Sequence, residues 1–492
     1  MRKTILLLAA TALAGCVSLD PSYDRPDAPV PEAASYGLEG PTVTDAGLGW
    51  REVFQEPELA ALIEAALENN RTLRQAALDV ERARALYRIQ RADSLPNIAA
   101  SGAYSRDHYG SNASAGAFGT PVVTGDGETD GGGEATGGQS FTIERYSATA
   151  GISAFELDLF GRLRSLNRQA LEAYFATDAA RRSTEVALVS AVAESYLQLA
   201  ADRELLAIAR STVDNQAEAL DLTTRRFEGG VGTEVDRQRV LLSIERARID
   251  AAALAAQVRI DENALRLLVG LPQLPTVDDS ATIGDVALRR ELPAAVPSSV
   301  LLGRPDVLAA EHRLLASNAD IGAARASFFP RLSLTATGGT SSTELDALFG
   351  SGTGFWSFSP QVTLPIFAGG GLRGNLGRAK AERAQAQAAY EYAIQTAFRE
   401  VADALATRAT IADRIEATDR LADAAALTLN LAERRYEAGV EDYLSVLDAQ
   451  REDYTARRER VAARLIEAGN VVALYRALGG LAPEEEMRLA ER

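Results

Sequence analysis

The segment RRFEGGVGTEVD at Arg225–Asp236 recurs as RRYEAGVEDYL at Arg434–Leu444, and this repetition decides how the chain is organised. Three pairs of residues match at one constant offset: Phe227 with Tyr436, Gly230 with Gly439, and Val231 with Val440. The match extends further, because LRLLVGLP at Leu265–Pro272 resembles LYRALGGLAP at Leu474–Pro483. The chain is therefore a tandem duplication, a pattern typical of repeat folds and pseudo-symmetric assemblies.

The composition favours helices and argues against a nucleic-acid ligand. The 492 residues are 47% hydrophobic with only 6% aromatic residues, and alanine dominates the apolar set, which favours long helices. Lys and Arg number 51 against 68 Asp and Glu, for a net charge of −17. Nucleic-acid binding requires clustered basic residues, so no nucleic-acid partner is expected.

The first sixteen residues form a targeting segment. Arg2 and Lys3 precede a short apolar run that ends in Leu13-Ala14-Gly15-Cys16. The run is shorter than the roughly 20 residues of a membrane-spanning helix. It resembles a bacterial lipoprotein signal, which implies that Cys16, the only cysteine, carries a lipid. The residue after Cys16 is Val17. The resemblance implies that an Asp at this position would retain the protein at the inner membrane, so the outer membrane is expected. The alternative is an ordinary export signal with an incidental cysteine.

Two long helical hairpins account for most of the chain. Arg162–Phe227 contains neither Pro nor Gly and would be on the order of 95 Å long as a helix. Its apolar residues recur every seven positions, which predicts coiled-coil packing: Val192, Leu199, Leu206, Val213, Leu220 and Phe227. The second repeat has a similar series, interrupted by Arg408. Glycines near 229–233 and 438–442 predict the turns at the two hairpin tips.

Four segments alternate between apolar and small polar residues, as strands do. They lie at about 97–106, 143–157, 331–338 and 355–366. Each supplies the roughly 10 residues of a tilted membrane strand, although Pro360 weakens the last one. A small soluble sheet is the alternative. Four membrane strands alone would leave two edges unpaired in hydrocarbon. Bacterial barrels close with an even number of strands from 8 upward, and a wet interior favours three copies and 12 strands over two.

The fold class predicted is mainly α with membrane β: duplicated antiparallel hairpins form an α-barrel, and four strands per chain contribute to a trimeric 12-stranded β-barrel. The chain divides into a signal peptide (1–15), a lipid-anchored extended segment (16–57), a first repeat (58–270), a linker (271–303), a second repeat (304–480) and a tail (481–492).

Several motifs together resemble the TolC-like outer-membrane factor family, in its lipoprotein branch of the OprM and NodT type. Besides the lipoprotein signal and the tip turns, they are Asn69–Leu73, Arg304–Val307 and Phe329–Leu334. The resemblance implies a homotrimeric exit duct in the outer membrane with its helical part in the periplasm. A periplasmic adaptor and an inner-membrane efflux pump are the implied partners, and drugs or other small solutes the cargo.

The resemblance also implies site residues. An acidic periplasmic gate would use Asp448 and Asp442 in the second hairpin and Asp236 and Glu234 in the first. Adaptor contacts would lie at the tips: Gly230, Val231, Gly232, Thr233, Gly439, Val440 and Glu441. The alternative is that these carboxylates are ordinary solvated charges and that the glycines only reverse the chain.

Nothing in the sequence suggests catalysis. The two histidines, His108 and His312, have no metal-ligand spacing, and neither a Walker phosphate loop nor a Gly-x-Ser-x-Gly elbow occurs. The expectation is no enzyme and no cofactor other than the lipid on Cys16. A duct for type I protein secretion and a lipid-anchored coiled-coil scaffold without a pore remain alternatives.

Overall fold

The computed structural model of the chain describes residues 19–35, 49–109, 141–275, 282–289 and 295–480. The predicted signal peptide, Cys16 and the tail 481–492 lie outside these ranges. The helices are α1 (Trp50–Val53), α2 (Pro57–Asn69), α3 (Arg71–Ala92), α4 (Arg162–Glu228), α5 (Glu234–Val269), α6 (Ser298–Leu301), α7 (Pro305–Ala326), α8 (Gly371–Glu437) and α9 (Tyr443–Ala477). The strands are β1 (Ala33–Ser35), β2 (Ile98–Tyr109), β3 (Phe141–Leu157), β4 (Ala295–Pro297), β5 (Arg331–Ser342) and β6 (Gly354–Thr363).

The two predicted hairpins are present and nearly equal in size. Helices α4 and α8 each have 67 residues, whereas α5 has 36 and α9 has 35. The seven-residue series identifies the packed face, because Val192, Leu199 and Leu206 are buried, whereas Phe227 at its end is 41% exposed. The predicted duplicated, mainly helical fold is confirmed. Among the described residues, no helix is long and apolar enough to cross a bilayer.

The four predicted strands form one antiparallel sheet in the order β2-β3-β5-β6. The strands β2 and β6 are its edges. Pro360 lies in β6 opposite Leu334, and an edge strand tolerates proline because one row of its backbone groups needs no partner within the sheet.

Several element boundaries differ from the sequence prediction: β2 and β5 continue to Tyr109 and Ser342, beyond the predicted 106 and 338, and β3 begins at Phe141 instead of 143. The last strand ends at Thr363 instead of 366, since Pro365 cannot donate a ladder hydrogen bond. The sequence from about Glu58 to Asp93 predicts one helix, but the structure divides this segment into α2 and α3. Asn70 interrupts it: its Oδ1 accepts from the Leu73 amide at 2.9 Å, and its Nδ2 donates to the Leu268 carbonyl at 2.8 Å. An asparagine that caps one helix and binds the end of another outweighs the helical pattern.

The segments expected to be extended or linking also contain structure. Within 16–57, α1 forms because Trp50 and Val53 are buried in the core. Strand β1 pairs with β4, which lies in the predicted linker 271–303.

Contacts divide the chain into two compact units that do not coincide with its two repeats. Among the described residues, the unit that contains the sheet lies within 19–22, 85–171 and 316–382, and the helical unit lies within 23–84, 172–315 and 383–480. The helical unit has a continuous core, which includes Tyr475 packed edge-to-face on Phe54 at 5.3 Å. The sheet unit has a small helical cluster of Ile321, Ala324 and Ala379.

Candidate functional site: the hairpin tips and the exposed sheet

The two tip turns have the same geometry. Gly230 and Gly439 have φ values of +75° and +72°, a conformation that glycine adopts without steric cost. In the first turn the Val231 amide donates to the Arg226 carbonyl, and in the second the Val440 amide donates to the Arg435 carbonyl. Both are Schellman motifs. They leave the side chains of Val231 and Val440 74% and 67% exposed, at the extreme end of each hairpin.

The residues after each turn cap the returning helix. Thr233 Oγ1 accepts from the Asp236 amide at 3.2 Å, and Asp442 Oδ1 accepts from the Ser445 amide at 3.3 Å. Thr233 and Asp442 occupy equivalent positions in the two repeats. The Asp442 carboxylate, a predicted gate residue, therefore also has a local role, because N-caps stabilise helices.

The other carboxylates at the turns are engaged by nearby donors. Glu234 accepts from Arg237 Nε at 2.9 Å and from Gln238 Nε2 at 2.7 Å. These hydrogen bonds lower the pKa of Glu234 to about 2. Glu441 forms an ion pair with Arg435 at 3.0 Å, so Glu234 and Glu441 both carry charge compensated by arginine.

Asp448 lies further along α9, in a groove with a cavity volume of about 320 Å³. It forms an ion pair with Arg451. Arg239, which corresponds to Asp448 in the first repeat, and Arg246 line the same groove. The gate residues thus do not form one cluster. Asp448 faces the groove, Glu234 and Asp236 lie in the first turn of α5, and Asp442 is the N-cap of α9.

Polar side chains that sequence reasoning missed join α9 to the first hairpin. Tyr454 OH donates to Asp250 Oδ2 at 3.2 Å, and Gln216 Nε2 donates to Gln450 Oε1 at 2.6 Å. Gln216 is buried. The available signal for Tyr454 was a seven-residue series in α9, formed by Leu447, Tyr454, Val461, Ala468 and Tyr475. That series predicts a packed position but does not identify the partner in another helix.

An apolar cluster lies behind the turns and joins all four long helices. Tyr436 and Tyr443 pack edge-to-face at 5.0 Å, and the Arg226 guanidinium lies 4.7 Å from the Tyr436 ring centroid. The cluster contains Val240, Ala432, Val446 and Ala449, and Leu220 packs against it. A displacement of one tip would therefore disturb the other.

The sheet has one apolar and one polar face, and β6 is exposed on both. The strand registers align the apolar residues in rows: Ile98 with Ile152, Ile152 with Ala336, and Ala336 with Phe358. On the opposite face Ser101 and Thr149 are hydrogen-bonded at 2.9 Å. A contiguous exposed apolar face of this kind marks a surface that contacts another protein or a membrane.

Aromatic rings mark where the apolar face ends. Tyr104 and Tyr146 pair across β2 and β3 with ring centroids 4.8 Å apart. The next residues on that face, Arg106 and Glu144, form a cross-strand ion pair at 3.4 Å. This order, with apolar residues first, then tyrosines and then charges, is typical of a strand that passes from hydrocarbon through a membrane interface.

The N-terminal end of the described chain is fixed to the sheet unit. The Leu19 and Pro21 carbonyls accept from Arg325 Nη1 at 3.0 Å and Asn318 Nδ2 at 2.8 Å. Between them, Asp20 Oδ1 accepts from Ser165 Oγ at 2.6 Å. We call these contacts the N-terminal clip. In the helical unit, the Glu311 carboxylate accepts hydrogen bonds from both Nε and Nη2 of Arg25, each at 2.8 Å.

Comparison with known proteins gives one consistent result. The model of the family described as "Outer membrane efflux protein" matches residues 62–271 and 296–480. The probable efflux pump outer membrane protein TtgC of Pseudomonas putida is 42% identical over 487 residues, which cover 98% of this chain and 96% of TtgC.

Two solved structures have the same fold. A membrane protein from Pseudomonas aeruginosa is 39% identical, with a TM-score of 0.84 over 94% of this chain and 98% of its own. The open state of the Neisseria gonorrhoeae MtrE outer membrane channel is 36% identical, with a TM-score of 0.82 over the same shares of the two chains.

Proposed function

This chain belongs to the outer membrane efflux protein family, and on that premise we propose that it is the passive exit duct of a tripartite efflux system. It receives solutes from a periplasmic adaptor and an inner-membrane pump and conducts them across the outer membrane. The names of the relatives refer to pumps for antibiotics, toluene and solvents, which favours small solutes over secreted proteins as cargo. The duct needs no reaction of its own, since the pump supplies the energy.

The observation that carries the proposal is the open four-stranded sheet, whose edge strand β6 is exposed on both faces. Its edges β2 and β6 run in opposite directions because each neighbouring pair is antiparallel. Unpaired edges are not tolerated in hydrocarbon. If β6 of one copy pairs with β2 of the next, three copies close a barrel of 12 strands with the polar face inside, whereas an 8-stranded barrel would be filled by side chains. A scaffold without a pore would not require such a sheet.

The exposed helices support association of copies. Helix α3 contains no buried residue, and α5 exposes Val235, Leu242 and Ile249 at seven-residue spacing by 57%, 62% and 68%. Apolar residues at this spacing are typical of a helix that packs on another helix.

Engineered disulfides between copies test the closure. Ser359→Cys in β6 is combined in turn with Ser101→Cys, Ala103→Cys or Ser105→Cys in β2, since all four residues lie on the polar face. One combination should give a covalent trimer on a non-reducing gel. Ser147→Cys in the interior strand β3 is the matched control and should not cross-link. Absence of cross-linking in every combination, or linkage only to dimers, would reject the trimeric duct.

The tips and the lipid complete the proposal. Exposed Val231 and Val440 are suited to an apolar adaptor contact, and the turn residues around them present these side chains. Asp448 in the groove is the strongest gate candidate, with Asp442, Asp236 and Glu234 nearer the turns. Cys16 is proposed to carry the lipid. Its site is supported by the clip at Leu19–Pro21, which holds the chain in the unit that contains the sheet.

A further inference from the structure

The segment that follows β6 is apolar and almost fully exposed. Leu364 is 51% exposed, Ile366 94% and Phe367 91%. These are extreme values for large apolar side chains, and they occur within four consecutive residues. We call Leu364–Phe367 the β6 tail. Pro365 removes one backbone donor, and Gly369 and Gly370 with φ values of +57° and +86° turn the chain into α8, so the tail belongs neither to the sheet nor to a helix.

A second exposed apolar patch lies at the start of β2, in the same compact unit. Leu86 and Ile89 near the end of α3 are 57% and 64% exposed, and Leu95, three residues before the strand, is 65% exposed. We call Leu86, Ile89 and Leu95 the α3 patch. Leu86 and Ile89 lie on one side of the helix because residues three apart are neighbours on its surface.

The strand directions bring these two surfaces together between copies. The β6 tail follows the C-terminal end of one edge strand, and the α3 patch precedes the N-terminal end of the other edge strand. When antiparallel strands pair, the C-terminal end of one lies beside the N-terminal end of the other. If β6 of one copy pairs with β2 of the next, Thr363 comes to the end of β2 at which Ile98 lies, and the β6 tail continues alongside the α3 patch.

We propose that the β6 tail of each copy packs on the α3 patch of the next copy and forms an apolar joint where the sheet meets the helices. This inference rests on the trimeric duct proposed above and names the residues that hold neighbouring copies together beyond the strands. A second copy is the favoured occupant because the β6 tail and the α3 patch flank the two edge strands whose unpaired backbone groups need hydrogen-bond partners. Lipid tails are the competing occupant.

Cysteine pairs test the joint directly, since Cys16 is the only native cysteine. Phe367→Cys is combined in turn with Leu86→Cys, Ile89→Cys or Leu95→Cys in the full-length chain. Outer-membrane preparations are then treated with an oxidant that forms disulfides. At least one pair should give covalent trimers in most of the protein. Phe367→Cys with Arg91→Cys is the matched control, because Arg91 is exposed and lies two residues, about half a turn, from Ile89. It should cross-link much less.

The strand-edge pairs are measured in parallel, so that the two proposals can fail separately. Edge cross-links without any joint cross-link would overturn the joint and leave the duct standing. Failure of both sets would overturn both. Phe367→Trp, in a chain whose two native tryptophans Trp50 and Trp356 are replaced by Phe, provides an independent measurement. Fluorescence quenching by brominated lipid would show that the tail faces acyl chains and would overturn the joint, whereas fluorescence unaffected by that lipid is expected.

Discussion

Single residues show how differently side chains of one type can be used. Asp442 caps a helix and Glu234 is held by Arg237 and Gln238, whereas Asp448 faces the groove with Arg451 as its partner. All were predicted as gate carboxylates, and the sequence could not separate them because the distinction lies in the local hydrogen bonds. Asp448 pairs within its own helix as Glu234 does, and what sets it apart is its place on a groove that α5 also lines.

Asp448→Ala should widen or loosen the periplasmic end of the duct. The exposed ion pair with Arg451 contributes no more than about 1 kcal/mol to stability, so folding should be unaffected. Loss of the carboxylate leaves Arg239, Arg246 and Arg451 around the groove, which should weaken cation preference. Planar-bilayer conductance is the measurement, with Glu416→Ala, an exposed carboxylate on α8 paired with Arg420, as the control. Unchanged conductance and selectivity would reject the role.

The loss of Arg304 should be costly to folding. It is buried, donates to Asp306 and Glu400 at 2.8 Å and to the Ala477 carbonyl at 2.7 Å, and so joins three helices. Removing one partner of a buried ion pair costs about 3–5 kcal/mol. Arg304→Ala should lower the urea midpoint of helix unfolding accordingly, and exposed Arg414→Ala should not. Equal midpoints for the two variants would contradict this role.

At the scale of elements, the hairpin α4–α5 contains a pair of buried carboxyl groups. Asp202 and Asp261 are 5% and 7% exposed, and each accepts from a glutamine amide at 2.8 Å. Burial first, and then the hydrogen bond with Asp202, raise the pKa of Asp261 from 3.8 to about 6. The folded state therefore binds the proton more tightly than the unfolded chain.

The sign of the pH dependence follows from this difference. Stability from protonated Asp261 is fully present below pH about 4 and is lost as pH rises through about 6. At about 1.4 kcal/mol per pKa unit, the loss is on the order of 3 kcal/mol. Asp261→Asn should raise the thermal midpoint at neutral pH and flatten its profile between pH 4 and 7, whereas exposed Asp214→Asn should retain the wild-type slope. A retained slope in Asp261→Asn would disprove the assignment.

The tips are elements whose exposed valines should act outside the protomer. Val231→Asp with Val440→Asp should abolish export but leave trimers intact, because exposed substitutions usually change stability by no more than about 0.5 kcal/mol. Drug susceptibility of a host without its own duct, together with adaptor co-purification, measures this. Ala217→Asp, exposed on α4 about three turns before its C-terminal end, is the control. Normal export by the double variant would exclude the tips as the adaptor contact.

Elements with a local signal were predictable, and contacts between distant segments were not. Glycine turns and alternating strands identified both tips and all four strands of the sheet, because each pattern is complete within a short window. The break at Asn70 was missed, since its cause includes the Leu268 carbonyl 198 residues away. The pairing of Tyr454 with Asp250 was missed for the same reason.

At the scale of the whole molecule, the N-terminal clip joins the beginning of the chain to its second repeat. Gly322 makes room for it, because a Cβ atom there would lie 1.7 Å from Asp20 Oδ1. Gly322→Ala should release residues 19–22 and increase the rate at which a nonspecific protease cleaves them severalfold. Gly469→Ala, in a helix interior with no atom within 4 Å, is the matched control and should leave that cleavage unchanged. Equal protection in both variants would contradict the clip.

The clip also imposes an order of events on biogenesis. Asp20 is 145 residues from Ser165, and Leu19 is 306 residues from Arg325. A secreted polypeptide emerges N-terminus first, so Leu19 and Asp20 enter the periplasm before Ser165 and Arg325 do. The clip therefore closes only after much of the chain has been exported, and the proposed lipid on Cys16 would be attached while that end is still accessible.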